Sequence, residues 1–259
     1  MQKYALIGHN ISYSRSPEIH NEIYKTIGLE AEYEVISLEA DELEKFTKYA
    51  KENLKGFNIT KPYKEKIIPF LDYADGKSVN TVVNREGKLY GYSTDGYGFT
   101  RHAQLEFGKM QGKALVLGAG GVARVIIPEL KNMGLTVYLW NRSEDKGKAL
   151  ATELGVNYTN REDIAPNLIV NCTSFGFNEG ENPVKSEGKI VVDGKAVKWV
   201  YDTIYSPPKT DLLKTFSSAK NANGYGMLVL QAVQADRIMC GEITKEQEEK
   251  IYETLTKKQ

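Results

Sequence analysis

Cysteine and histidine are scarce in this chain, and neither sign of charge is in excess. Cys172 and Cys240 stand far apart without a CxxC pair, and three histidines are dispersed over 259 residues, so neither a disulfide framework nor a metal site is indicated. Lys plus Arg number 34 against 34 Asp plus Glu, which leaves no electrostatic footprint for nucleic acid or an anionic membrane surface. No stretch approaches the ~18 consecutive apolar residues of a membrane span. The apolar run in the opening MQKYALIGHNISYSRS is too short for a secretory signal. These absences lead to the expectation of a cytoplasmic protein. No internal repeat or low-complexity tract is present either.

The composition, 41% hydrophobic and 26% charged, suits one large or two modest domains with real cores. The first ninety residues alternate strand-like and helix-like segments, KYALIG, SPEIHNEIYKTIG, AEYEVISL, DELEKFTKYAKEN and GFNIT, in βαβαβ order. In the second of these, Ser16 is a plausible N-cap with Pro17 at the first helical position, and Ile19, Ile23 and Ile27 form one stripe before Gly28. VNTVVNREGKLYGY reads as a hairpin turning at Asn84–Gly87. A second unit begins near Gly96 with a helical stretch. KALVLGAGGVARVIIPEL then reads as buried strand, glycine turn and helix, and TVYLW, NLIVNCT and WVYDTIY read as further strands, implying a second parallel sheet covered by helices. Near the end, Thr244 with Gln247 forms a capping-box pattern that opens a helix with a solvated charged face.

Several segments carry chemistry. Gly118-Ala119-Gly120-Gly121-Val122-Ala123 follows a strand and opens a helix, as a dinucleotide-binding turn does. Its first glycine permits the turn, its second lets backbone approach a pyrophosphate, and Ala123 lets the helix pack on the strand. The next strand ends at Asn141-Arg142-Ser143, where an NAD-binding chain places a carboxylate for the ribose. An amide, a guanidinium and a hydroxyl suit a 2′-phosphate, favouring NADP, although Ser143 also suits an ordinary helix cap. NITKPYKEK sets Pro62 at an expected helix start, with Lys64 in the first turn and Lys61 and Lys66 nearby. Cations there oppose the helix dipole, which suggests a site above the strand end Asn58–Thr60. Asp95 lies at the boundary between the two expected domains. Ser14 and Ser16 precede a helix whose free N–H groups suit a carboxylate, and Gln231 is a polar amide within the apolar MLVLQAV.

Taken together, Ser14-x-Ser16-Pro17, Asn58-Ile59-Thr60-Lys61-Pro62-Tyr63-Lys64, Val79-Asn80-Thr81, Thr94-Asp95-Gly96, the glycine turn, Asn141-Arg142-Ser143, Asp202-Thr203-Ile204-Tyr205 and Gly224-Tyr225-Gly226-Met227-Leu228 resemble the shikimate dehydrogenase family, in the family's order from residue 7 to about 240. The resemblance implies NADP-dependent, reversible reduction of 3-dehydroshikimate to shikimate, a small-molecule step in aromatic amino-acid biosynthesis. It implies a two-domain α/β fold. An α/β substrate-binding and catalytic domain would comprise residues 1–96 with C-terminal helices from 227–259, and a Rossmann-type NADP domain would comprise 97–226. By the same resemblance Lys64 and Asp95 form the catalytic pair. Ser14 and Ser16 take the substrate carboxylate, and Thr60, Asn80, Tyr205 and Gln231 surround the ring. Residues 118–123, Asn141, Arg142, Ser143 and Gly224 contact NADP, with no metal, in a monomer or homodimer. The chain departs from the family at Lys61, where an apolar residue is usual, and at Ser93, Cys172 and Phe177, none of which removes a catalytic residue.

Ketone reduction needs a hydride, a proton and a partner for the nascent alkoxide. Dispersed histidines disfavour zinc. Two Tyr-x-x-x-Lys spacings occur, but Tyr73–Lys77 precedes the glycine turn and Tyr205–Lys209 contains Pro207-Pro208, so neither forms a helical dyad. Lys64 as proton donor, held by Asp95, remains. The alternatives weighed are a quinate/shikimate dehydrogenase using NAD, a related two-domain dehydrogenase acting on folate or glutamyl-tRNA, and a non-catalytic sensor of NADP and a hydroxy acid.

Overall fold

The computed structural model describes residues 1–12, 14–160, 164–184, 192 and 194–257. In chain order its elements are β1 (Gln2–Gly8), α1 (Ser16–Ile27), β2 (Ala31–Ser37), α2 (Leu43–Asn53), β3 (Gly56–Ile59), β4 (Tyr73–Ala74), β5 (Thr81–Arg85), β6 (Lys88–Tyr92) and α3 (Asp95–Phe107). After these come β7 (Lys113–Leu117), α4 (Gly121–Asn132), β8 (Thr136–Trp140), α5 (Glu144–Leu154), β9 (Asn157–Tyr158), β10 (Leu168–Asn171), β11 (Trp199–Asp202), α6 (Asp211–Thr215), β12 (Lys220–Ala222), α7 (Tyr225–Cys240) and α8 (Lys245–Thr256). The fold is α/β with two sheets. The chain divides into two units, Met1–Gly98 with Leu228–Gln259, and Phe99–Met227. It passes from the first to the second within α3 and returns within α7.

The first unit holds a mixed sheet in the order β2-β1-β3-β5-β6-β4. β1, β2 and β3 are parallel, because each is joined to the next by a helix, whereas β5 is antiparallel to β3 and to β6. The β5–β6 hairpin turns at Glu86 and Gly87, both at positive φ, which gives the turn the twist that two-residue hairpins require. One face of the sheet is covered by Leu43, Phe46 and Ala50 of α2. On the other face Tyr4, Leu6, Tyr24 and Tyr33 meet Ala235 and Met239 of α7. Burial raises the Asp236 carboxyl above the ordinary range, offset by His20, whose Nδ1 lies 2.7 Å away, so a buried polar pair also joins α1 to α7.

The second unit is a six-stranded parallel sheet in the order β12-β11-β10-β7-β8-β9. Its central strands β7 and β10 are buried on both faces, as the unbroken apolar runs KALVL and NLIV require. Ala123, Ile126, Ile127 and Leu130 of α4 pack on one face with Phe99, Ala103 and Phe107 of α3.

Three local expectations are corrected. No helix starts at Pro62. Residues 61–67 form turns and only Ile68–Phe70 is a short 3-10 helix. The Tyr63 ring is drawn into the core with its hydroxyl on the Leu38 carbonyl at 2.6 Å, which holds the segment as a turn, so the helix-dipole argument for Lys64 does not apply. Ser16 is the first residue of α1 rather than its cap. Arg15 is the cap residue, and the Ser16 N–H donates to Ser14 Oγ at 3.2 Å. Ser143 occupies the cap position of α5 but its side chain makes no capping bond.

The returning segment carries much of the first unit's core. Val229, Leu230, Val233, Met239, Ile243, Ile251 and Leu255 are all buried. At about 1.5–3 kcal/mol each, their removal costs as much as the ~5–15 kcal/mol that keeps an ordinary domain folded. A chain ending at Gly226 is therefore expected in the insoluble fraction on expression. Soluble, folded protein from that truncation would contradict the packing described.

Candidate active site

The parallel strands β1 and β3 end side by side, with Ile7 opposite Ile59, and the residues that follow them lie at the same end of the sheet. Ser14 and Ser16 follow β1, while Thr60 and Lys64 follow β3. Because β5 runs antiparallel to β3, with Asn58 opposite Thr81, Asn80 enters at this same end, and β6 delivers Asp95 there. Carboxyl ends of strands in open α/β sheets are where ligands bind.

Lys64 Nζ donates to Asp95 Oδ2 at 2.6 Å, with the side chains 28% and 16% exposed, so the pair touches solvent without being immersed in it. Asn80 Nδ2 donates to the other carboxylate oxygen, Asp95 Oδ1, at 2.8 Å and to Gln231 Oε1 at 3.2 Å. Gln231 thus finds the partner its apolar setting demanded. The Lys64 backbone is itself held, since its carbonyl accepts from the Val79 N–H at 2.9 Å. Ser14 Oγ donates to Ser16 Oγ at 3.1 Å. The Thr60 hydroxyl has no hydrogen bond among the described residues. Lys61 is exposed beside this turn.

In the second unit, Gly118 sits at φ +102 where β7 ends, and a Cβ there would meet the Cys172 backbone at 3.1 Å, so turn and neighbouring strand both require glycine. The Ala119 N–H donates to Asn141 Oδ1 at 3.1 Å, and Asn141 Nδ2 donates to the Ser143 carbonyl at 2.8 Å. Asn141 therefore braces the turn against the end of β8. Gly120 caps α4 without a side chain, so the first N–H groups of that helix, Gly121, Val122 and Ala123, point past the turn. A Cβ at Gly120 or Gly121 would meet nothing within 4 Å, so the space beside the turn is open there. A cavity of about 760 Å³ is lined by Gly118–Gly120, Trp140–Arg142, Cys172–Phe175 and Pro183. Arg142 is exposed over the Phe175 ring at 5.9 Å, and no carboxylate among the described residues pairs with it. Free helix N–H groups, an open cradle and an unneutralised guanidinium fit a dinucleotide carrying an extra phosphate. At Gly224 a Cβ would collide with the Thr203 carbonyl oxygen just past β11, so close backbone packing requires glycine there. Tyr205 lies in this second unit, its ring 6.1 Å from that of Tyr225.

The sequence reading gave no role to the residues that hold these groups. In the first unit they are Asn58, Thr81 and Thr94, all buried. In the second, Asn171 accepts from Thr173 at 2.7 Å and donates to Asp202 at 2.9 Å, while Asp202 accepts from Thr210 at 2.6 Å. Burial raises the Asp202 carboxyl above its usual range and these hydrogen bonds partly offset it. The available signal was a polar residue inside an apolar strand, as in GFNI, LIVN and WVYD. Such a side chain must find partners.

Comparison with known proteins bears on the same segments. Residues 6–82 match the family described as shikimate dehydrogenase substrate binding domain, and residues 101–171 that described as shikimate / quinate 5-dehydrogenase. A curated relative from Clostridium botulinum (strain Loch Maree / Type A3), shikimate dehydrogenase (NADP(+)), is 38% identical over 252 residues, covering 91% of this chain and 95% of that protein. One of the same name from Aquifex aeolicus (strain VF5) is 35% identical over 252 residues, covering 93% and 91%. The crystal structure of shikimate 5-dehydrogenase from Thermus thermophilus in complex with NADP(H) and shikimate superposes with a TM-score of 0.86 at 30% identity, covering 98% of this chain and 99% of that one. No helix among the described residues is long and apolar enough to cross a membrane. With family matches in both units and relatives this similar along nearly the whole length, the chain belongs to the shikimate dehydrogenase family.

Proposed function

We propose that this protein is an NADP-dependent oxidoreductase that interconverts 3-dehydroshikimate and shikimate, with Lys64 and Asp95 as its acid–base pair. The observation that carries the reading is the 2.6 Å contact between Lys64 and Asp95, with Asn80 on the second carboxylate oxygen. Around it, Ser14, Ser16, Thr60 and Gln231 offer hydroxyls and an amide suited to a carboxylate and ring hydroxyls, and Tyr205 is assigned to the substrate as well. Residues 118–123, Asn141, Arg142, Ser143 and Gly224 are assigned to NADP, with Asn141 also bracing the turn that presents the N–H groups of Gly121–Ala123. The relatives named for NADP(+) support that cofactor over NAD. The reading includes a cytoplasmic location, which the two free cysteines suit, and a monomer or homodimer.

Bound NADPH supplies the hydride to the substrate's carbonyl carbon. As the carbonyl oxygen gains charge, the Lys64 ammonium donates its proton to it, completing the alcohol, and the lysine is reprotonated from solvent. In the reverse direction Lys64 first gives its proton to solvent and then, as the amine, takes up the hydroxyl proton while the hydride leaves the carbon. Asp95 keeps the Lys64 Nζ in place, and the Asn80 amide keeps Asp95 from rotating away. Ser14 and Ser16 anchor the carboxylate, so the ring enters in one orientation.

Lys64→Ala should lower the turnover number by about 10²–10⁴-fold, the usual worth of a positioned acid, with a smaller effect on substrate binding. Asp95→Asn should also slow turnover, and the double variant should be little worse than the more damaging single one, because the two act as a unit. Lys61→Ala, in the same turn, should leave turnover within a few-fold. Steady-state kinetics on the four variants checks this. A dead Lys61→Ala beside an active Lys64→Ala would overturn the assignment.

For the cofactor, Arg142→Ala should raise the Michaelis constant for NADP by on the order of tenfold or more, since a charge-assisted contact contributes about 1.5–3 kcal/mol, while that for NAD changes little. Equal effects on the two cofactors would remove Arg142 from the site.

A further inference from the structure

A primary amide has two ends of similar shape and opposite hydrogen-bonding character, so a buried Asn must be told which way to face. Asn80 is 6% exposed and faces Asp95 with its nitrogen. Turned over, it would set its oxygen against the carboxylate. The Thr94 hydroxyl cannot settle the choice, because it lies within hydrogen-bond distance of both ends, 3.0 Å from Nδ2 and 3.2 Å from Oδ1. Two donors do settle it: the Thr94 backbone N–H, 2.9 Å from Asn80 Oδ1, and the Thr81 hydroxyl, 3.0 Å from the same oxygen.

The Thr81 hydroxyl is itself constrained. Asn58 Nδ2 donates to Thr81 Oγ1 at 3.1 Å, which leaves the Thr81 proton for Asn80. Asn58 is oriented in turn by the Tyr33 hydroxyl, which donates to Asn58 Oδ1 at 2.8 Å. Burial raises the Tyr33 phenol well above its usual range, so it remains a donor, and the His20 ring stacks on it at 4.0 Å and 7°. Donors therefore run in one direction across β2, β3 and β5, from Tyr33 through Asn58, Thr81 and Asn80 to Asp95. Thr81 is fully buried and its neighbours Val82 and Val83 continue the strand, so valine fits its place by shape and by strand propensity.

We propose that Thr81 is a positioning residue for the reaction: through Asn80 it fixes which amide atom meets Asp95, and so holds that carboxylate in line with Lys64. The proposal rests on the reading of Lys64 and Asp95 as the acid–base pair.

The test is the reduction of 3-dehydroshikimate by NADPH, followed at 340 nm, with thermal melting recorded for each protein. Thr81→Val should lower kcat between about threefold and tenfold, the worth of one hydrogen bond, and leave the Michaelis constant for NADPH within about twofold. Thr81→Ser, which keeps the hydroxyl, should restore kcat to within about twofold. In the Asp95→Asn background Thr81→Val should cost less than about twofold more, because its effect is transmitted through that carboxylate. Unchanged kcat in Thr81→Val, no rescue by serine, or full additivity with Asp95→Asn would each overturn the proposal. If Thr81→Val does not fold, Tyr33→Phe carries the test: a lowered kcat with unchanged NADPH affinity supports the chain of donors, and wild-type kcat overturns it. A wild-type protein inactive on 3-dehydroshikimate would instead sink the reading of the pair, an outcome distinct from any of these.

Discussion

A lysine and a carboxylate that both touch water gain little from their mutual attraction, because solvent screens the pair and two flexible side chains must be held still. The 2.6 Å contact of Lys64 with Asp95 is therefore a geometry that the surrounding fold has to impose. The first unit does so from both sides. On the lysine side, the buried Tyr63 ring and the bond from the Val79 N–H to the Lys64 carbonyl hold the turn after β3. On the aspartate side, α3 begins at Asp95 and Asn80 grips the carboxylate from the start of β5. Register does the rest, since antiparallel β5 brings Asn80 to the end of the sheet where parallel β1 and β3 terminate.

The second unit solves a different problem with similar means. A turn that presents backbone N–H groups has no side chains of its own to stiffen it. Asn141 supplies the stiffness from the adjacent strand, taking the Ala119 N–H and giving a hydrogen to the Ser143 carbonyl. Alongside, the Asn171–Asp202–Thr210 set ties the ends of β10 and β11 together below the loop that lines the cavity. In both units, polar side chains at strand ends hold the groups assigned to ligand binding.

How much of this was legible in the sequence follows from which forces act locally. The alternation of apolar strands with helical stripes, the glycine turn after KALVL and the capping box at Thr244 are short-range patterns, and the elements form where those patterns lie. Pro62 misled because a proline suits a helix start and a turn equally, and the choice was made by burial of Tyr63, a long-range contact. Ser16 misled by one position: it is itself the first helical residue, and its N–H donates to Ser14 Oγ two residues earlier. The family resemblance paired Lys64 with Asp95 and set Asn80 and Gln231 around the ring, but it did not give the bonds by which Asn80 joins Asp95 and Gln231. Those bonds join positions up to 151 apart in the chain, and no spacing rule reaches that far. Asn58 and Thr81 stood inside the resembling motifs without a role, as polar residues in apolar strands whose partners become known once strand register is known.

The account turns on the activity itself, so the most direct measurement is a single spectrophotometric assay at 340 nm of the purified protein with shikimate, comparing NADP with NAD at equal concentration. The expected result is NADP reduction on shikimate addition and a much slower rate with NAD, as an exposed Arg142 with no carboxylate partner among the described residues requires. No reduction of either cofactor would contradict the assigned reaction, and a faster rate with NAD would contradict the assigned cofactor.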